Sequence, residues 1–75
     1  MKKATIKLNT INDVKEFVNI VTQYDFEVDL ISGRYAIDAK SIMGIFSLDL
    51  SKPIDLQAHS DSSDEFFAAI KKFTV

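Results

Sequence analysis

Few side chains in this 75-residue chain are equipped for chemistry, and they are scattered. The sequence holds one histidine, His59, and no cysteine. One imidazole cannot build a histidine zinc cluster, and without thiols neither a disulfide nor a thiolate metal site can form. His59 falls on the polar side of an alternating stretch, so it is expected as an exposed surface residue without a role. Ser60-Asp61-Ser62-Ser63-Asp64-Glu65 looks like a kinase target, yet serines and acids are also what a turn and a helix N-terminus require. Asp13 and Lys15 stand where a helical repeat begins, a place where an acid caps the helix and a lysine is solvated. Ser41 precedes a short apolar run and reads as a helix-start serine. There is no nucleophile–base pair and no Gly-rich phosphate loop, so neither an enzyme nor a bound metal or cofactor is expected.

The elements that position these residues follow from the period of the apolar pattern. Ala4, Ile6 and Leu8 alternate with Thr5 and Lys7, which predicts a half-buried strand. Val14, Phe17, Val18, Val21 and Tyr24 then recur at helical spacing. Asn12 or Asp13 is the expected cap, and Asp13 with Glu16 has capping-box spacing. Phe26, Val28 and Leu30 alternate again, Ser32-Gly33 reads as a hairpin turn, and Tyr35 and Ile37 continue the pattern. A short helix is expected from Ser41 through Leu48, stopped by Ser51-Lys52-Pro53. Ile54, Leu56 and Ala58 form a fourth alternating run. Asp61 or Ser62 is the expected cap of a last helix, with Ser62 and Glu65 as its capping box and Phe66, Ala69, Ile70 and Phe73 as its buried stripe. Because each strand is apolar on one face only, the expected fold is α+β. Its order is βαββαβα, a four-stranded antiparallel sheet with three helices on one face and solvent on the other.

Composition bounds the rest. Hydrophobic residues make up 47% and charged residues 27%, a globular balance, over a length that suits one domain, residues 1–75. A net charge of −2 argues against direct nucleic-acid binding. No apolar run approaches the ~20 residues of a membrane span, and no apolar segment follows Met1-Lys2-Lys3, so membrane insertion is not expected and a cytoplasmic location is.

One stretch carries a resemblance. Asp38-Ala39-Lys40-Ser41-Ile42-Met43-Gly44-Ile45-Phe46-Ser47-Leu48 resembles the regulatory serine segment of HPr, the small phosphocarrier family of the bacterial sugar phosphotransferase system. Thr5-Ile6-Lys7-Leu8-Asn9-Thr10 resembles the first strand of that family, and the order of elements is the family's order, an open-faced β-sandwich. The resemblance implies that Ser41 is a phosphorylation site for HPr kinase/phosphorylase. It also implies that Ile42, Met43 and Phe46 form an exposed patch that docks on protein partners. Phosphate at a helix start adds about −1.5 to −2 charge where the helix dipole tolerates it.

The chain also departs from the family. There, the first strand leads into Gly-Leu-His-Ala-Arg-Pro-Ala, whose histidine relays phosphate from enzyme I. Here Thr10 is followed by Ile11-Asn12-Asp13-Val14-Lys15-Glu16-Phe17. Counted from the strand, Asp13 stands at the histidine position, Lys15 at the arginine and Glu16 at the proline. Aspartate lacks the nucleophilic ring nitrogen that the relay needs. Asp13 therefore has three readings: a helix cap, a mimic of the charge on a phosphorylated carrier, or the acceptor of an acyl phosphate. The expectation is a regulatory adaptor similar to the histidine-lacking, catabolite-repression HPr-like members of the family. Its partners would be HPr kinase/phosphorylase, a transcriptional regulator or phosphotransferase components. The alternatives are a phosphocarrier with a non-standard acceptor, or an HPr-fold interaction domain unconnected with sugar transport.

Overall fold

The computed structural model describes residues 2–75. Four strands, β1 (Lys2–Ile6), β2 (Val28–Ser32), β3 (Tyr35–Asp38) and β4 (Ile54–Ala58), form one sheet in the order β1-β4-β2-β3. Every neighbouring pair is antiparallel, with Ile6 opposite Ile54, Leu30 opposite Leu56 and Leu30 opposite Ile37. Helix α1 (Ile11–Val21) joins β1 to β2, α2 (Ile42–Phe46) joins β3 to β4, and α3 (Asp64–Ala69) follows β4 and runs into a 3-10 turn at Lys71–Phe73. Two connections therefore cross over a strand: β4 lies between β1 and β2, and β2 lies between β3 and β4. The expected βαββαβα order and α+β class hold.

The strands are short, and one face carries their stability. Ile6, Val28, Leu30, Ile54, Leu56 and Ala58 are fully buried on that face, against Val14, Phe17 and Val21 of α1, Ile45 of α2, Phe66 of α3 and Ile70 just beyond it. Full burial of a side chain of this size contributes about 1.5–3 kcal/mol. Phe17 meets Phe73 edge-on with ring centroids 5.9 Å apart, and Phe66 packs edge-on against Tyr24 and Phe26 at 5.3 and 5.5 Å. The other face is polar. Thr5 donates to Asp55 at 3.3 Å across the β1–β4 pair, the kind of cross-strand contact that the alternation implied.

The helix starts differ from the sequence expectations. Thr10, and neither Asn12 nor Asp13, caps α1: its side chain accepts from the Asp13 N–H at 3.0 Å. The capping box pairs Thr10 with Asp13, not Asp13 with Glu16, because the Asp13 carboxylate reaches back to the N–H groups of Asn9 at 3.0 Å and Thr10 at 3.3 Å. α1 also ends at Val21, before Tyr24. At α3 the cap residue is Ser63, not Asp61 or Ser62, and its side chain makes no capping bond. Ala69, expected on the buried stripe, is exposed. Strand β1 ends at Ile6, yet Leu8 stays fully buried.

The seating of α2 rests on Gly44. A Cβ there would stand 2.6 Å from the Ile37 Cγ2 on β3 and 3.2 Å from the Ser41 Oγ. At a distance below 3.0 Å either the Ile37 side chain or the helix must shift. Gly44→Ala is expected to lose about 1–2 kcal/mol in urea unfolding, because a gain of about 1 kcal/mol in helix propensity offsets part of an overpacking cost of about 1–3 kcal/mol. A stabilised Gly44→Ala would mean that α2 does not lie this close to β3. At α1, Thr10→Ala and Asp13→Ala should each lose about 1 kcal/mol. Their double variant should lose less than the sum, because the two side chains serve one box; strict additivity would show that they act separately.

Candidate functional site

Helix α2 carries four of the candidate residues. Ser41 is its N-cap, in extended backbone, and its Oγ accepts the Gly44 N–H at 3.2 Å. Serine suits the place because its short side chain reaches an amide that the first turn leaves without a partner. The residue is exposed. Of the apolar residues that follow, Ile45 is buried and Ile42 is half-buried, while Met43 is 77% and Phe46 39% exposed. A helix of five residues can turn only one side to the core, and Ile45 takes it. The segment before it is anchored. The Ser41 N–H donates to the Asp38 carbonyl at 2.9 Å, and Lys40 donates its Nζ to the Tyr24 carbonyl at 2.8 Å, fastening the start of α2 to the loop after α1.

Asp13 and Lys15 lie elsewhere. They belong to the first turns of α1, which opens where β1 leaves the sheet, whereas Ser41 follows the far end of β3. The Asp13 carboxylate is engaged by the Asn9 and Thr10 amides. Lys15 is exposed and has no hydrogen-bond or ion-pair partner among the described residues. Glu16 forms an ion pair with Lys72. At the start of α1 the N–H groups of Asn9, Thr10 and Asp13 are thus taken by its own side chains.

His59 follows β4 at the opposite end of the sheet. Its neighbour Ala58 faces Lys2, while Ile6, four residues along β1, leads toward α1. At ~3.3 Å per residue this separates the only histidine from the α1 start by about 13 Å along the strands. His59 is exposed, as expected, but it has a partner the sequence did not disclose: its Nε2 lies 2.7 Å from Asp29 Oδ2 on β2.

Two contacts that sequence reasoning missed join the helices. Lys7 donates its Nζ both to Asn9 Oδ1 and to the Leu50 carbonyl, each at 2.9 Å, so the segment leaving α2 is held beside the α1 start. In that segment the Ser51 hydroxyl and N–H hold the Asp49 carboxyl below the usual carboxylate range, with added attraction from Lys52 and Lys7. Ile11, in the first turn of α1, is 62% exposed. It interrupts no apolar period, so only the exposure marks it. Two open hollows of about 400 and 460 Å³ lie over the polar sheet face and beside the β2–β3 turn. Neither is lined by Ser41, Met43 or Asp13. No helix among the described residues is long and apolar enough to cross a membrane.

Comparison with known proteins agrees with this geometry. The family model for the PTS HPr component phosphorylation site matches residues 12–74. Among solved structures, the chain is similar to HPr-C-His from Thermoanaerobacter tengcongensis, with a TM-score of 0.80 and 26% identity over 96% of this chain and 89% of that one. It shares its fold with the phosphocarrier protein HPr from Bacillus anthracis str. Ames, with a TM-score of 0.74 and 17% identity over 99% and 96% of the two chains. It does so too with the histidine-containing phosphocarrier protein of a mycoplasma, with a TM-score of 0.72 and 19% identity over 95% and 86%. A search of curated protein sequences gave no match. With the family pattern spanning nearly the whole chain and the open-faced sheet shared with solved relatives, this protein belongs to the HPr family of the phosphotransferase system.

Proposed function

We propose that the chain is a regulatory, non-relaying HPr-family adaptor, one cytoplasmic domain over residues 1–75, that is phosphorylated on Ser41 and works through protein contacts. The observation that carries this reading is the state of the α1 start. A phosphohistidine relay needs an imidazole beside free amides at a helix N-terminus. Here Thr10 and Asp13 take up amides at that start themselves, and the one histidine is at the other end of the sheet, paired with Asp29. Asp13 acts chiefly as part of the cap. Its carboxylate also places a fixed negative charge at the family's phosphate-handling end, with Lys15 beside it, so it imitates a charged carrier only as far as the cap leaves an oxygen lone pair open.

Ser41 suits modification. A phosphoryl group on its Oγ replaces a neutral cap acceptor by a dianionic one at the same amide, so α2 keeps its N-terminal partner. Ile42, Met43 and Phe46 then form the apolar contact beside the phosphate, on which HPr kinase/phosphorylase, a transcriptional regulator or another phosphotransferase component would dock. Methionine is apt there because its unbranched, polarisable chain adapts to different partners.

The test is mass spectrometry of the purified protein after incubation with HPr kinase and ATP, and separately with enzyme I and phosphoenolpyruvate. One phosphate from the kinase, lost in Ser41→Ala, and none from enzyme I is the expected result. A phosphate transferred by enzyme I would instead establish a carrier with a non-standard acceptor, and no phosphate in either tube an HPr-fold interaction domain outside the system. For the docking patch, Met43→Glu should leave the unfolding midpoint in place, since the side chain is mostly exposed, while raising the kinase KM roughly tenfold. An unchanged KM would remove Met43 from the contact.

A further inference from the structure

The sheet has two edges, and they are treated differently. Along β1, the tail pairs back: Lys7 donates its N–H to the Phe73 carbonyl at 2.8 Å, Val75 donates to Thr5 at 3.0 Å, and Ile6 bridges to Thr74. Strand β3 has β2 on one side and no strand on the other among the described residues. The edge is short, four residues ending in Asp38, but Tyr35–Asp38 contains neither proline nor lysine. Tyr35 is 70% exposed, and Ala36 is exposed beside it.

The turn fixes which backbone groups face outward. Gly33 has φ 61 and Arg34 has no positive φ, the pattern of a two-residue type II′ hairpin. In such a hairpin the flanking residues, Ser32 and Tyr35, exchange both hydrogen bonds, and the next bonded pair is Leu30 with Ile37. Ala36, between them, therefore turns its N–H and C=O to the open edge. Asp38 also faces out, but its carbonyl already accepts the Ser41 N–H at 2.9 Å and its Oδ1 the Lys40 N–H at 2.9 Å. The unspent pair of backbone groups is thus at the centre of the strand.

The residues around that centre are self-complementary. Read as Arg34-Tyr35-Ala36-Ile37-Asp38, the segment laid antiparallel on itself about Ala36 puts Arg34 opposite Asp38 at both ends and Tyr35 opposite Ile37 on both sides. Arg34 has no ion-pair partner among the described residues. We propose that β3 is a self-association edge, on which two copies pair antiparallel about a two-fold axis at Ala36. Each Ala36 N–H donates to the other copy's Ala36 carbonyl, unlike charges meet at the two ends, and the sheets join into one of eight strands. The contact is isologous, so it closes at two copies. The aromatic–β-branched Tyr35–Ile37 pairs fall at non-hydrogen-bonded positions, where side chains approach most closely. The proposal goes beyond the adaptor reading and rests on none of its phosphorylation chemistry.

Sedimentation equilibrium over about 10 μM to about 1 mM, the range in which a small contact shows its dissociation constant, tests it. The wild-type mass should rise toward twice the monomer value. Ala36→Pro should stay monomeric throughout with its circular dichroism unchanged, because the N–H it removes faces solvent in the single chain. Arg34→Glu and Asp38→Lys should each stay monomeric, and their equimolar mixture should dimerise again, because unlike charges then face each other at both ends. A wild type that remains monomeric, a dimer that survives Ala36→Pro, or a folded mixture that fails to associate would each overturn the pairing.

Discussion

Four strands of four or five residues cannot hold a sheet by hydrogen bonds alone. What holds this one is the removal of a single apolar face from water. Ile6, Val28, Leu30, Ile54, Leu56 and Ala58 present one surface, and three short helices must cover it. A domain of this size buries only about 60% of its unfolded surface, so little is left over if one helix is displaced. Of the two helices that each commit a single buried side chain, Phe66 in α3 and Ile45 in α2, the shorter is α2. Its place depends on how closely it can approach the sheet, and Gly44 sets that approach against Ile37.

The exposed side of α2 follows from the same economy. A five-residue helix that spends Ile45 on the core must leave Met43 and Phe46 in water, and its first amides must find an acceptor, which Ser41 supplies. The residue that caps α2 is therefore also an exposed one. The start of α1 is capped in a related way. There Thr10 makes the same bond to the third amide of the turn that Ser41 makes at α2, and Asp13 reaches back to complete a box that α2 lacks.

The two sheet edges show a similar division. Residues 73–75 protect part of β1 because Phe73 is drawn into the core beside Phe17, and the backbone that follows lies along the strand. Among the described residues no strand lies on the outer side of β3. Its exposure is a consequence of being last in the order β1-β4-β2-β3.

The apolar periods by themselves determined the element types, their order and the one-sided sheet, because burial imposes a period of two on strands and about 3.6 on helices, and both are written in residue type. The Asp38–Leu48 segment determined the family resemblance and made Ser41, Ile42 and Met43 readable as candidates. Helix starts were only half legible. An acid or hydroxyl near a first turn signals a cap, but which amide it reaches depends on where the chain leaves the previous strand, so Asp13 proved to be the reaching-back member of a box whose cap is Thr10. The strand order was not legible at all, since it is set by which crossovers let three helices share one face. With that order came everything that depends on distance across the sheet: the His59–Asp29 pair, the separation of His59 from the α1 start, the Lys7 tie between Asn9 and Leu50, and the bare edge at Ala36. These are contacts between residues far apart in the chain, and no local pattern encodes them; only the packed sheet brings them within reach.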